Sequence, residues 1–308
     1  AAVSALEFAR KAKASPTELN RLGIRIRTLT GSLVVSQEKD GGWVWRSRGA
    51  GSHWGVTATS FWALCAARNA GIPVHADTLN KAQNFLRTQF TKLGARNNDA
   101  KAVLLHALSV NKAADFAHAN RLHRERNTLS APALAYTALA FVNLDRKEFA
   151  GELLDVLAKK LAEKKVGDKR LLNAPGVRNN TWTSEETETT ALAALAFMRT
   201  RPGANQIQGL IDYLLNRRGA YGFAAAKARG TAVTALAEFY SKGKFAEDDY
   251  ELSILVNGKA FHTMKVKGNS QSVSLAVPTE LLADGENSVD FRLNGRGEFA
   301  YAVSLRGF

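Results

Sequence analysis

One sequence motif recurs along this chain and limits the folds that it can adopt. The motif is a loop containing an aromatic residue, followed by a helix rich in small residues. The aromatic members are Trp43, Trp182 and Tyr221, and the helices that follow contain Thr57, Thr189 and Thr231. Self-similarity at a spacing of roughly 40 residues is typical of stacked helix pairs. The recurring motif therefore predicts an architecture built from pairs of helices.

Apolar residues recur with a helical period over most of the chain. The predicted helices cover 2–14, 16–37, 57–70, 77–90, 100–110, 113–125, 131–144, 147–165, 185–200, 203–217 and 229–242. Residues 166–184 are rich in Gly, Asn and Pro and are predicted to form a long loop. Helix pairs of this kind can curve into a closed double ring, an α/α toroid. The N-termini of its inner helices, with their free N–H groups, would then point towards one mouth.

The period changes from 3.6 to 2 near Lys242. Leu252, Ile254 and Val256 fall on one face of a predicted strand, and Asn257-Gly258 is typical of a hairpin turn. Further alternation predicts strands at 273–277, 289–293 and 299–303. The fold class is therefore mostly α, with an α/α toroid at 1–245 and a small antiparallel β unit at 246–308.

Charge and cysteine content restrict the function classes. The net charge of +14 favours anionic partners, but the basic residues are scattered and accompany no aromatic nucleic-acid motif, which argues against specific nucleic-acid binding. The single cysteine, Cys65, excludes an intrachain disulfide and a zinc site of several thiolates. No apolar run approaches the roughly 20 residues that a membrane span needs. The first residues lack the features of a signal peptide, and we interpret the chain as a piece of a longer protein.

The order of the motifs resembles the terpenoid-cyclase and prenyltransferase toroid superfamily. Within it, the chain is similar to the thioester-containing domain of alpha-2-macroglobulin and complement-type proteins, especially the bacterial ones. The residues that carry this are Gln37, Asp40-Gly41-Gly42-Trp43, Thr57-Ala58, Ala63-Leu64, Gly71-Ile72-Pro73-Val74, Trp182, Glu188-Thr189-Thr190-Ala191-Leu192 and Tyr221-Gly222-Phe223. The tail, with Val256-Asn257-Gly258, Val277-Pro278-Thr279-Glu280-Leu281-Leu282, Gly285-Glu286-Asn287 and Gly295-Arg296-Gly297, is similar to the second half of the family's CUB-like domain.

The resemblance implies a role in trapping proteases or guarding the cell envelope, in the periplasm or outside the cell. It implies that the partners are other domains of the parent chain, proteases or cell-envelope components. The family's chemistry depends on a Cys-x-Glu-Gln turn, and Cys65-Ala66-Ala67-Arg68 does not match it. We therefore expect a non-catalytic binding or structural module without a cofactor.

Aromatic and carboxylate residues mark a candidate ligand-binding mouth. Its members are Trp43, Trp45, His53, Trp54, Trp182, Glu185, Glu186, Glu188 and Tyr221. The aromatic residues suit stacking on a sugar or peptide, and equally suit anchoring of the loops. The carboxylates at the start of a helix suit capping, and equally suit a cavity acid. No metal site is predicted, since His118 and His123 are five residues apart and miss the i, i+4 spacing of a helical pair.

Two further hypotheses stay open on the sequence. An α/α-toroid enzyme would act on an isoprenoid or a glycan through the aromatic mouth and its three carboxylates. An anion-binding module would use the positive charge, and its binding would depend steeply on salt.

Overall fold

The computed structural model describes residues 1–45, 51–94, 96–166, 169–178, 183–219, 222–242, 248–268, 273–297, 299, 301 and 303–304. The chain divides into two compact units, Ala1–Tyr240 and Ser241–Phe308. The first is built mainly of helices and the second of β-strands. The predicted class, mostly α with a small antiparallel β part, is confirmed.

The helices lie close to their predicted positions. They are α1 (Ala2–Lys11), α2 (Pro16–Val35), α3 (Trp54–Asn69), α4 (Ala76–Lys92), α5 (Asn98–Val110), α6 (Phe116–Arg124), α7 (Ala131–Asn143), α8 (Lys147–Ala158), α9 (Glu186–Thr200), α10 (Gln206–Asn216) and α11 (Ala226–Ser241). Local chemistry explains several of their starts. Ser15 caps α2 by accepting a hydrogen bond from the Glu18 N–H at 3.3 Å, and Pro16 occupies the first turn.

Six of these helices follow one another around a ring. Packing links α3 to α5, α5 to α7 and α7 to α9. An ion pair of 2.8 Å between Arg199 and Glu238 links α9 to α11. A hydrogen bond of 2.9 Å between the Ser4 and Thr234 hydroxyls links α11 to α1. The Arg10 guanidinium on α1 then donates to the carbonyl of Ala70, which caps α3, at 3.2 Å, so the cycle closes.

The remaining helices form an outer layer on this ring. Helices α2, α4, α6 and α8 each pack between two consecutive inner helices, and α10 packs against α9. Small residues on α7 and α9, such as Ala138 and Ala194, are fully buried and let the inner helices approach closely. The largest buried side chains, including Phe61, Phe141 and Phe197, fill the space between them.

Two antiparallel strand pairs lie within residues 162–184, where the sequence predicted the end of a helix followed by a long loop. Strand β1 (Ala162–Val166) pairs antiparallel with β2 (Lys169–Asn173), and β3 (Val177–Arg178) pairs with β4 (Thr183–Ser184). The prediction of a loop at 166–184 and of a helix continuing to residue 165 was therefore wrong. Glu and Lys in β1 are good helix formers, but pairing with β2, which packs against α10, outweighs that preference.

Gly209 on α10 leaves room for the β1–β2 hairpin to pack against the helical unit. A side-chain carbon at Gly209 would lie 2.8 Å from Leu172 Cγ and 3.0 Å from the Arg170 carbonyl oxygen. We expect Gly209→Ala to lower the free energy of unfolding by about 1–3 kcal/mol, because this packed contact cannot absorb a methyl group. Gly230→Ala on α11 is the matched control, since nothing lies within 4 Å of that position. It should stabilise by about 0.5–1 kcal/mol. Thermal unfolding followed by helical circular dichroism measures both, and a stabilising Gly209→Ala would contradict the close approach.

The second unit contains a three-stranded antiparallel sheet in the order β6–β5–β7. Its strands are β5 (Asp249–Val256), β6 (Lys259–Lys267) and β7 (Val289–Arg296). Asn257 and Gly258 both have positive φ, 50° and 76°, and form the predicted turn between β5 and β6. Tyr250, Leu252 and Val266 form its small buried core.

One predicted strand is absent from this unit. Residues 273–277 are described and belong to no strand, and Val273 is 60% exposed. An alternating pattern shows which face of a segment can be buried, but it cannot supply a neighbouring strand to pair with. The predicted strand at 299–303 falls partly outside the described residues.

Candidate functional site

Trp43, the aromatic residue in the first copy of the recurring motif, is a structural anchor. Its side chain is only 3% exposed, and its indole N–H donates to the Leu33 carbonyl at 2.9 Å. Its backbone N–H donates to the Thr57 hydroxyl of α3 at 3.0 Å. The preceding Gly42 lies so close to Ser52 that a side-chain carbon would approach the Ser52 Cβ to 2.3 Å. The loop is therefore fastened between α2 and α3, and Trp43 presents no ring face to a ligand.

The other aromatic residues of this loop are more accessible. Trp45 is 68% exposed. His53 stacks on Trp54 with ring centroids 5.4 Å apart, and both side chains are half-buried. The His53 Nδ1 accepts hydrogen bonds from the N–H groups of Gly55 and Val56, so this ring also caps the start of α3. Trp45, His53 and Trp54 are thus the members of the predicted mouth that offer aromatic surface among the described residues.

The three carboxylates of the predicted mouth do not share one environment. Glu185 and Glu186 are exposed at the start of α9, where their negative charges interact favourably with the positive end of the helix dipole. Asn173 of β2 donates a hydrogen bond to Glu186. Glu188, one turn further along, is only 3% exposed. The other two predicted members, Trp182 and Tyr221, lie outside the described residues.

Glu188 belongs to a buried polar cluster that joins three inner helices. Its Oε2 lies 2.9 Å from the Lys227 ammonium of α11, and its Oε1 accepts a hydrogen bond from the Tyr136 hydroxyl of α7 at 3.2 Å. Burial raises the pKa of Glu188, whereas Lys227 and Tyr136 act to lower it. Burial lowers the pKa of Lys227, and Glu188 opposes this shift. Burial thus destabilises the charged form of both Glu188 and Lys227, and the opposite charge of the partner offsets part of this effect.

His106 extends this cluster towards α3. Its ring lies 5.3 Å from the Tyr136 ring and 4.6 Å, edge to face, from the Trp62 ring. The side chain is 1% exposed, and burial lowers the pKa of His106 to about 3. His106 is therefore a neutral core histidine at physiological pH. Among the described residues, its Nε2 has no hydrogen-bond partner.

Cys65 is inert. Its side chain is fully buried in α3, and burial raises the pKa of the thiol to about 11. A thiol with this pKa stays protonated at neutral pH, whereas the thiolate is the nucleophile. Arg68 acts to lower the pKa of this thiol, but burial has the larger effect.

A small cavity next to Tyr136 does not provide a substrate site. It is lined in part by Val103, Pro132, Ala133 and Ser184, and its volume is about 10 Å³. That is room for about one water molecule, whereas small-molecule sites occupy about 300 Å³ or more. An isoprenoid or a sugar ring cannot enter it.

Within the described residues, no group of three or more His, Cys, Asp or Glu side chains is placed to hold a metal ion. None of the helices in that part of the chain is both long enough and apolar enough to cross a bilayer.

Sequence reasoning missed two members of the buried cluster, Tyr136 and Lys227. A weak signal existed for each. Tyr136 carries a hydroxyl in a mostly apolar helix, and Lys227 stands alone among alanines at 224–228. Neither signal identifies a partner, because Glu188 is distant from both in the sequence.

The fold is a closed ring of paired helices, preceding in sequence a small antiparallel β unit. Solved structures of bacterial alpha-2-macroglobulin share it. The crystal structure of native alpha-2-macroglobulin from Escherichia coli, spanning domain MG7 to the C-terminus, matches with a TM-score of 0.61 and 11% identity, over 87% of this chain and 42% of that one. The cryo-EM reconstruction of the native E. coli protein matches with a TM-score of 0.60 and 12% identity, over 87% of this chain and 17% of that one.

A crystal structure of trypsin-activated E. coli alpha-2-macroglobulin matches with a TM-score of 0.54 and 13% identity, over 86% of this chain and 18% of that one. The chain thus spans less than half the length of each of these structures. No model of a protein family matches the sequence. No curated protein matches it either. The resemblance to bacterial alpha-2-macroglobulins is therefore confirmed at the level of the fold.

Proposed function

We propose that this chain acts as a non-catalytic module of a bacterial alpha-2-macroglobulin-like protein. The observation that carries the proposal is the likeness of fold over 87% of the chain. On this proposal, residues 1–245 correspond to the family's thioester-type domain and residues 246–308 to part of its CUB-like domain. The other domains of a longer protein are the module's first partners.

Three features of the helical ring support a binding or structural role. The only carboxylate of the predicted mouth that is buried, among the described residues, is already paired with Lys227. The Cys65 thiol is protonated and enclosed. The cavity beside Tyr136 holds about one water molecule. An enzyme acting on an isoprenoid or a glycan would need converging carboxylates and an open cavity, and these three features favour the non-catalytic role over that alternative.

The exposed aromatic residues supply a proposed contact surface. Trp45 and the stacked pair of His53 and Trp54 present apolar area beside the loop that Trp43 holds in place. Exposed aromatic side chains are typical of protein contact sites. We assign them to contacts with a protein partner.

Protease trapping can be tested directly on the native protein, meaning the full-length protein that contains this chain. Structures of E. coli alpha-2-macroglobulin activated by trypsin and by porcine elastase identify two suitable proteases. The native protein would be incubated with each protease, and cleavage of casein and of a short chromogenic peptide would then be measured. A trap should abolish casein cleavage and spare peptide cleavage, since enclosure excludes large substrates only. Full retention of casein cleavage would contradict the proposal.

Two further measurements refine this proposal. Methylamine treatment followed by mass spectrometry distinguishes a covalent trap, which gains mass, from a non-covalent one. Fractionation of cells tests the expected periplasmic or extracellular location, and recovery only in the cytoplasm would contradict it.

A further inference from the structure

The segment that follows α8 and runs into the β1–β2 hairpin is strongly basic, and the proposed function leaves this charge unexplained. Residues 159–170 contain six basic and two acidic side chains, which leaves a net charge of +4. Its acid within the described residues, Glu163, is already paired with Arg170 at 2.7 Å. In the described part of the structure, Lys160, Lys164 and Lys165 form no ion pair. This hairpin therefore carries uncompensated positive charge.

The helical unit buries β2 of the hairpin and leaves β1 exposed. Leu171 and Leu172 of β2 are buried, 3% and 6% exposed, and β2 packs against α10 and α9. In contrast, all five residues of β1 are exposed. Among the described strands, β1 pairs only with β2. Among the described strands, the hairpin thus presents an open edge at β1, beside a strand that packs on the helical unit.

An open edge offers backbone hydrogen bonds to another extended chain. In an antiparallel pair, alternate residues direct their N–H and C=O groups away from the partner strand. Extended peptides bind such edges by adding a strand, with main-chain hydrogen bonds for affinity and side-chain contacts for specificity. This feature favours a polypeptide over a membrane or a nucleic acid, since neither of those can continue a β ladder.

The lysines select the sign of the partner's charge. Lys164 and Lys165 are adjacent in β1, so their side chains point to opposite faces of the hairpin. An added strand with carboxylates on both faces would meet a lysine on each. The same lysines repel a basic strand, including β1 of a second copy of this chain, and so protect the edge against self-association.

We propose that β1 is a docking edge for an acidic, extended segment of a partner polypeptide, which adds to the β1–β2 hairpin as a third strand. The juxtaposition of an open edge, a buried anchoring strand and lysines on both faces, which form no ion pair with a described residue, carries this inference. It does not depend on protease trapping.

A labelled peptide tests the docking edge in the full chain. The probe is a fluorescein-labelled heptapeptide of glutamate and valine, with carboxylates on both faces when it is extended. Fluorescence anisotropy should report binding to the wild-type chain. Binding to the double variant Lys164→Glu/Lys165→Glu should be at least tenfold weaker. The matched control, Arg25→Glu/Arg27→Glu on the exposed face of α2, changes the net charge equally and should bind within twofold of wild type.

Backbone methylation separates strand addition from simple charge attraction. Two versions of the peptide carry N-methyl groups on alternate residues, one version on each edge of the extended chain. Strand addition predicts that only one version loses binding at least tenfold, because only one edge faces β1. Equal binding of both versions and the unmodified peptide would overturn the proposal. Binding to phosphatidylglycerol vesicles without binding of the peptide would also overturn it.

Discussion

Replacing Trp43 by alanine should lower the free energy of unfolding by about 4 kcal/mol, the typical cost of removing a large buried aromatic side chain. The indole is 3% exposed, packs in the main core of the helical unit and donates a hydrogen bond to Leu33. Its loss would leave a cavity between α2 and α3 and remove one of the two hydrogen bonds that the Leu33 carbonyl accepts, the other coming from the Ser36 hydroxyl. The melting temperature should fall by roughly 10 °C, given a few degrees per kcal/mol for a unit of this size.

Trp45→Ala is the matched control for this prediction. It removes the same side chain two residues away, where it is 68% exposed. We expect a change within about 0.5 kcal/mol, as for most surface substitutions. Far-ultraviolet circular dichroism during urea unfolding measures both variants without relying on tryptophan fluorescence. Unchanged stability of Trp43→Ala, combined with weaker partner binding, would make Trp43 a ligand-binding residue instead of an anchor.

Lys227→Met should cost about 3 kcal/mol, because it leaves the Glu188 carboxylate buried without its counter-charge. Lys227 lies 2.9 Å from Glu188, and their side chains are 19% and 3% exposed. The double variant Lys227→Met/Glu188→Gln should be closer to wild type than Lys227→Met alone. A glutamine carries no charge and still offers an oxygen to the Tyr136 hydroxyl. Urea unfolding of the four proteins of this cycle yields the coupling between the two residues.

The pH dependence of Lys227→Met has a definite sign. Burial already raises the pKa of Glu188 above its ordinary value of 4.5, and loss of the neighbouring ammonium raises it further. A carboxyl group with a raised pKa binds its proton more tightly in the folded state, so protonation favours folding. The stability deficit of Lys227→Met should therefore shrink as the pH falls from neutral towards 4.5. A deficit that is constant with pH, or equal in the double variant, would show that the lost charge is not responsible.

The amino-acid sequence by itself determined most of the helices and their approximate boundaries. Periodic apolar residues and caps such as Ser15 act within a few residues, so the sequence alone reveals them. The turn at Asn257-Gly258 was predictable for the same reason, because both residues tolerate positive φ. The ordered motifs also indicated the macroglobulin-like fold, although no motif alone is specific.

Only the tertiary structure decided which residues of the predicted mouth are accessible and which are buried. Trp43 and Trp45 are two residues apart in the same loop, yet one is buried and the other is exposed. Glu188 meets Tyr136 and Lys227 across three helices, which no local pattern encodes. The β1–β2 hairpin forms from helix-favouring residues because α10, with Gly209, accepts β2. Burial and partner choice depend on elements that are distant in sequence and meet only when the ring closes.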